Sequence, residues 1–229
     1  MRFAVLVFPG TWSDGDCQHV LRDRLGQQAD RIWHREANLD GYDAVVVPGG
    51  FSYGDYLRCG AIARFSPVMG ALQRHAQAGR PVFGSCNGFQ ILCEAGLLPG
   101  ALLRNDSLQF RCQEQYVRVT RDDTGFSCAS AAGDALMLPI SHGEGNYHVD
   151  DDTLAELEAE RRIVFRYADA DGQVTPAANP NGSRANIAGV INAAGNVLGM
   201  MPHPERSSEA LLGGEDGLRV WQSMIQWWG

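Results

Sequence analysis

Apolar positions along the chain cluster in short unbroken runs separated by amphipathic stretches. The runs "FAVLVF" at 3–8, "DAVVVPGG" at 43–50, "RPVFG" at 80–84 and "GNVLGMM" at 195–201 have no polar alternation, as in parallel strands covered on both faces. Between them, helical spacing predicts helices near 16–28, 66–79, 87–95, 152–160 and 216–228. Alternation of strand and helix predicts an α/β fold, a doubly wound and mostly parallel sheet with functional groups at the carboxyl ends of its strands. The stretch 101–180 is less regular, with strand patterns at "YVRV" 116–119 and "RIVFRYA" 162–168 and a turn at "NPNGS" 179–183. No repeat, low-complexity tract or linker interrupts the chain, so residues 1–229 read as a single domain.

Composition narrows the function classes. A chain of 229 residues with 45% apolar side chains can bury a full core. The formal net charge of -8 and the scattering of its arginines argue against a nucleic-acid partner, which requires clustered positive charge. No segment approaches the ~20 apolar residues of a membrane span, and the first apolar run reaches Pro9-Gly10 too soon for a signal peptide. Six cysteines without a Cys-x-x-Cys pair make a disulfide framework or cysteine-held zinc a poor reading and a reducing cytoplasm the expected setting.

The segment "GSCNGFQIL" at 84–92 carries candidate chemistry. Gly84-x-Cys86-x-Gly88 between an apolar run and a helical one has the form of a nucleophile elbow, in which the side chain projects from a sharp strand-to-helix turn. There Cys86 stands at the positive end of a helix, where thiolate is favoured. The competing reading is a small buried hydrophobe, the common fate of a free cysteine. Among six histidines, His203 in "GMMPHPERS" has the most informative setting. Flanking prolines keep the chain extended, so Glu205, two residues on, can lie beside it and orient the imidazole. A solvated surface turn is the alternative. The N–H of Asn87, next after the cysteine, is an oxyanion donor by geometry, and a second can come from the "VPGGFSYGD" loop at 47–55. In "ISHGEGNYHVDDD", His142, Glu144 and His148 could be metal ligands, but two glycines break the alternation and a loop near the active site is preferred.

These segments together resemble the class I, or triad, glutamine amidotransferases. Within them, "VPGGFSYGDYLRCGAIARFSP", "LLRNDSLQFRC", "ISHGEGNYHVDDDTLAEL" and "NPNGSRANIAGVINAAGNVLGMMPHPERSSEALLGGEDGL" resemble the glutaminase subunits of phosphoribosylformylglycinamidine synthases. The resemblance implies a flavodoxin-like fold, a Cys86, His203, Glu205 triad, oxyanion donors at Gly50 and Asn87, and Gln90 near bound glutamine. It further implies release of ammonia to a separate synthetase subunit that uses ATP and Mg²⁺, with a small third subunit in the complex and no cofactor in this chain. The chain carries no Gly-x-x-x-x-Gly-Lys-Ser/Thr loop of its own. The first loop, "FPGTWSDGDC", is longer than the family's usual form, so no role passes to Asp16 or Cys17, and Cys59 stands where alanine is common. Another triad hydrolase on the same fold, or a non-catalytic assembly subunit, remains open at this stage.

Overall fold

A computed structural model describes residues 1–229. Its main sheet has nine strands, and the half that carries the nucleophile is parallel. Here β1 (Arg2–Val7), β2 (Gln28–Trp33), β3 (Ala44–Val47), β4 (Val82–Ser85) and β11 (Val197–Met200) are ordered β2-β1-β3-β4-β11. Every residue of β3, β4 and β11 is buried, as unbroken apolar runs require when helices cover both faces. Successive residues of β4 show the two coverings. Phe83 meets Trp221 of α5 (Leu218–Trp228) edge-on at 5.0 Å, whereas Gly84 lies against Leu92 of α3 (Asn87–Glu94).

The sheet continues antiparallel through β10 (Ile187–Ile191), β9 (Ile163–Ala168), β6 (Arg111–Val119) and β7 (Ala135–His142). β5 (Ala101–Leu103) and β8 (Asn146–His148), distant in sequence, form a separate two-stranded antiparallel sheet, and α1 (Asp14–His19), α2 (Pro67–Gln77) and α4 (Asp151–Ala159) complete the regular helices and strands. Five strand spacings of ~4.8 Å would hold β7 about 24 Å from β4 in a flat sheet. Yet β7 reaches the end of β4: the Pro139 carbonyl accepts from the His203 N–H at 2.8 Å, and the Ser141 carbonyl lies 3.6 Å from Cys86 Sγ. The antiparallel half therefore curls back over the strand ends, helped by register shifts between β9 and β10, where an irregular ladder allows bending.

The strands expected at 3–8, 43–50, 80–84, 116–119, 162–168 and 195–201 are present, and four of the five helices fall within about two residues of their expected spans. The expected helix over 16–28 is corrected. It ends early: α1 passes into a wider π turn over Val20–Arg24, Gly26 turns left-handed at φ 64, and β2 begins at Gln28. Strands β2, β5, β7, β8 and β10 lie outside the expected strand spans.

Candidate active site

Each functional side chain sits where a parallel strand ends. The chain leaves β4 at Ser85, and Cys86 takes φ 51 and ψ -107, a conformation disfavoured for any residue with a Cβ. Strain of this kind costs roughly 1–3 kcal/mol and persists only where the surroundings enforce it. Enforcement comes from both sides: the Cys86 N–H donates to the Met200 carbonyl of β11 at 2.8 Å, and α3 starts so close to β3 that a Cβ on Gly88 would fall 1.8 Å from the Val47 oxygen. Only glycine fits there, and the tight approach fixes the elbow.

The neighbouring strand delivers the histidine. Met200 is in register with Ser85, so the chain beyond β11 runs beside Cys86. The expected extended run through Glu205 is corrected, because Pro204–Arg206 form a 3₁₀ turn in which the Arg206 N–H donates to the His203 carbonyl at 3.1 Å. His203 and Glu205 are both buried, and the Nδ1–H of His203 donates to Glu205 Oε1 at 2.6 Å. Nε2 is buried without a partner. Burial opposes charge on His203, but the Glu205 carboxylate and the Cys86 sulfur outweigh it and raise the imidazole pKa above its ordinary value. Burial likewise opposes the charge on Glu205, and the facing imidazolium holds its pKa down. The couple therefore favours a charged pair.

Gly50 follows β3 with φ 151, and a Cβ there would fall 2.6 Å from the Trp12 nitrogen. The adjoining backbone is tied to the first loop: Trp12 and Ser13 N–H groups donate to the Gly49 carbonyl at 3.0 and 3.1 Å, and Phe51 N–H donates to Gly10 at 2.9 Å. Asn87, the first residue of α3, has an N–H that no helical carbonyl can accept. The two segments are linked through the Asn87 side chain, whose Oδ1 accepts from Ser52 N–H at 3.2 Å.

Cys86, His203 and Gly50 line one cleft of about 200 Å³, together with Trp12, Phe51 and Ser141. Glu205 lies behind His203. Gln90 does not line the cleft. Its side-chain oxygen accepts from Asn87 Nδ2 at 2.8 Å and its amide nitrogen donates to the Glu144 carbonyl at 2.7 Å, so it bridges the elbow to the turn at 143–145 between β7 and β8.

The expected loop is corrected: Ser141 and His142 end β7 and Asn146–His148 form β8, leaving a turn at 143–145, and the strand residue Ser141 lines the cleft. His142 is buried, and its Nε2 accepts from the Asn181 amide at 2.9 Å. The amide orientation is fixed because Asn181 Oδ1 accepts from the Ser183 N–H and hydroxyl. His142 therefore carries its proton on Nδ1. Burial, then the nearby His203, push its pKa down to about 3. Asn105 holds the same turn by donating to the His142 carbonyl at 2.9 Å and accepting from Gly145 N–H at 3.0 Å.

Sequence reasoning did not single out Trp12, Ser13, Phe51, Ser141 or Arg206, all of which line the cleft. Arg206 sits 3.4 Å from both Ser13 Oγ and Asp16 Oδ2, so Asp16 has a structural partner. Cys17 is buried, with its thiol pushed well up by burial and then by Glu205, and all six cysteines are unpaired. Adjacency of Arg206 to Glu205 was the available signal. Nothing local marks the others.

Comparison with known proteins places the chain in a family and a fold. The profile of the CobB/CobQ-like glutamine amidotransferase domain matches residues 1–226. The phosphoribosylformylglycinamidine synthase subunit PurQ of Moorella thermoacetica is 57% identical over 228 residues, covering 100% of this chain and 97% of that protein. Among solved structures, a chain of PurLQS from Thermotoga maritima superposes with a TM-score of 0.88 at 41% identity, covering 99% of this chain and 98% of that one. The glutaminase domain of Trypanosoma brucei CTPS, with bound acivicin, has a TM-score of 0.61 at 15% identity over 100% of this chain and 97% of that one, a likeness of fold alone.

Proposed function

The chain belongs to the CobB/CobQ-like glutamine amidotransferase family, and we infer from this that it is the glutaminase subunit of a phosphoribosylformylglycinamidine synthase in purine biosynthesis. It associates with a synthetase subunit. One observation carries the reading of its site: a cysteine in a strained strand-to-helix turn shares a cleft with a buried histidine that is bonded through Nδ1 to a buried carboxylate. A structural cysteine has no need of such a setting.

Glutamine is the substrate, with its side-chain carbonyl carbon against Cys86 Sγ. His203 Nε2 takes the Cys86 thiol proton, the sulfur attacks, the carbonyl electron pair moves to oxygen, and the resulting oxyanion takes hydrogen bonds from the Gly50 and Asn87 N–H groups. Such donors act without reorganising, which is why they stabilise the transition state more than the ground state. His203, held charged by Glu205, gives its Nε2 proton to the leaving nitrogen as the C–N bond breaks, releasing ammonia and leaving a γ-glutamyl thioester. The now neutral His203 takes a proton from water, whose oxygen attacks the thioester, and the proton returns toward sulfur as glutamate departs.

Gln90 acts by positioning, since its amide is already engaged at both ends. Ammonia passes to the synthetase, where ATP and Mg²⁺ drive amidation of formylglycinamide ribonucleotide. A small third subunit completes the complex, whose setting is the cytoplasm.

Glutamate release by the assembled complex tests this reading. Cys86→Ala is expected to abolish it with the fold intact, while added ammonium salts restore product formation by the synthetase. Retained glutamine hydrolysis in the purified variant would remove Cys86 from the nucleophile role.

A further inference from the structure

The loop that carries Gly50 is strained beyond what Gly50 itself requires. Tyr53, Asp55 and Leu57 all adopt positive φ, at 56, 55 and 72. Left-handed backbone costs a residue with a Cβ roughly 1–2 kcal/mol, so three such residues within five need an external hold. Leu57 is 93% exposed and holds nothing. Tyr53 is different.

Its phenol enters a buried polar triangle. The hydroxyl lies 2.9 Å from His34 Nδ1 and 2.9 Å from Ser66 Oγ, and those two atoms are 3.2 Å apart. The Tyr53 and His34 rings meet edge-on at 5.6 Å, and Trp33 packs on the far side of His34 at 4.5 Å. His34 is itself immobile: its N–H donates to Val7 at 2.8 Å, and its carbonyl accepts from Val68 N–H at 3.1 Å.

Ser66 supplies an independent sign that the triangle has a purpose. It occupies the N-cap of α2, directly before Pro67, where a serine hydroxyl ordinarily accepts from the helix and contributes about 1 kcal/mol. Here the hydroxyl makes no cap hydrogen bond and is turned to Tyr53 and His34 instead. The helix forgoes its cap to hold the loop.

From Tyr53 the hold runs back to Gly50 in three steps. Tyr53 N–H donates to Pro9 at 2.6 Å, Gly54 N–H closes a turn onto the Phe51 carbonyl at 2.8 Å, and Phe51 N–H donates to Gly10 at 2.9 Å. Released from the triangle, the left-handed run can relax toward ordinary backbone and carry Phe51 and Gly50 with it.

We propose that Tyr53, His34 and Ser66 form a clamp that positions the Gly50 oxyanion donor against Cys86. None of the three lines the cleft, so they are positioning residues, and the clamp rests on the glutaminase reading of the site. It gives the segment "GGFSYGD" a task that the triad alone leaves unexplained: the two glycines make the donor, and the tyrosine aims it.

The test uses the assembled complex with its synthetase. Tyr53→Phe keeps the ring and removes only the hydroxyl. It is expected to lower kcat for glutamine hydrolysis by roughly 10- to 100-fold, the scale of a misplaced donor, with KM within about twofold. Alkylation of Cys86 by iodoacetamide, read by mass spectrometry on its peptide, forms no oxyanion and should keep its wild-type rate. Ser66→Ala should lower kcat in the same manner, and Ser66→Thr, which retains a hydroxyl, should restore it. An unchanged kcat in Tyr53→Phe and Ser66→Ala overturns the clamp, as does a parallel fall in turnover and alkylation, which marks general disruption. Cys86→Ala in the same complex separates the two levels: persistent turnover there overturns the nucleophile assignment, whereas its loss beside an unaffected Tyr53→Phe overturns the clamp alone.

Discussion

His203 and His142 lie on neighbouring segments, are almost equally buried, and have opposite proton affinities. The first has a carboxylate oxygen 2.6 Å from Nδ1 and holds its proton more tightly than a free imidazole; the second has an amide 2.9 Å from Nε2, and its pKa falls to about 3. Burial disfavours charge at both sites, so burial cannot account for the difference. The charges of their neighbours do: the Glu205 carboxylate and then the Cys86 sulfur favour a proton on His203, whereas His142 faces an uncharged amide and the nearby His203. A site can therefore place a proton-transferring imidazole beside a permanently neutral one, provided that only one of them is given a carboxylate.

Glu205→Gln breaks this contrast most directly, because it turns the partner of His203 into an amide like that of His142. Its expected effect is the largest: kcat for glutamine hydrolysis should fall by about 10²- to 10⁴-fold, and titration of the His203 imidazole by NMR should move to lower pH. A variant with near wild-type turnover would show that the carboxylate is not what prepares His203.

Stability against pH sharpens the same contrast. The raised affinity of His203 contributes stability that is fully present below the unfolded pKa of ~6.5 and is lost as pH rises through the folded value. His142 acts at the other end. Below ~6.5 the unfolded chain binds a proton that folded His142 refuses until about pH 3, so stability falls by up to about 1.4 kcal/mol per pH unit across that window. Urea unfolding between pH 6 and 4 should therefore show a shallower acid slope in His142→Gln than in wild type. Equal slopes would mean that His142 already takes up a proton in the folded protein.

A smaller effect is expected at Gly145, where an added Cβ would fall 2.2 Å from the His142 ring and 2.8 Å from Asn181 Nδ2. Gly145→Ala should cost about 1–3 kcal/mol, the range for overpacking, read as a lower midpoint in the same unfolding experiment. Wild-type stability would show that the ring can move aside at no cost.

What the sequence discloses about the two histidines follows the same division. His203 and Glu205 are two residues apart in a proline-stiffened stretch, and the elbow shows as a compact Gly-x-Cys-x-Gly motif, so local pattern reaches both even though the contact that demands Gly88 comes from Val47 of β3. His142 is joined to Asn181 across 39 residues, and His34 to Tyr53 across 19, with no periodicity to mark either pair. The missed strands have physical reasons as well. β2, "QADRIW", is an edge strand with a polar pattern, and β7 carries Pro139, which usually signals the end of a strand but is tolerated at an outer position. The curl that brings β7 over the nucleophile is a property of the whole sheet. No single segment encodes it.

The pairing of β4 with β11 sets a timetable. Cys86 depends for its backbone geometry on Met200 and for its proton partner on His203, both of which leave the ribosome long after it does. At a synthesis rate of about 5–20 residues per second, that interval is roughly 6–23 s. Throughout it the nascent chain presents an ordinary thiol, without the partner that would arm it, and reactivity is switched on only when the last strand of the sheet docks.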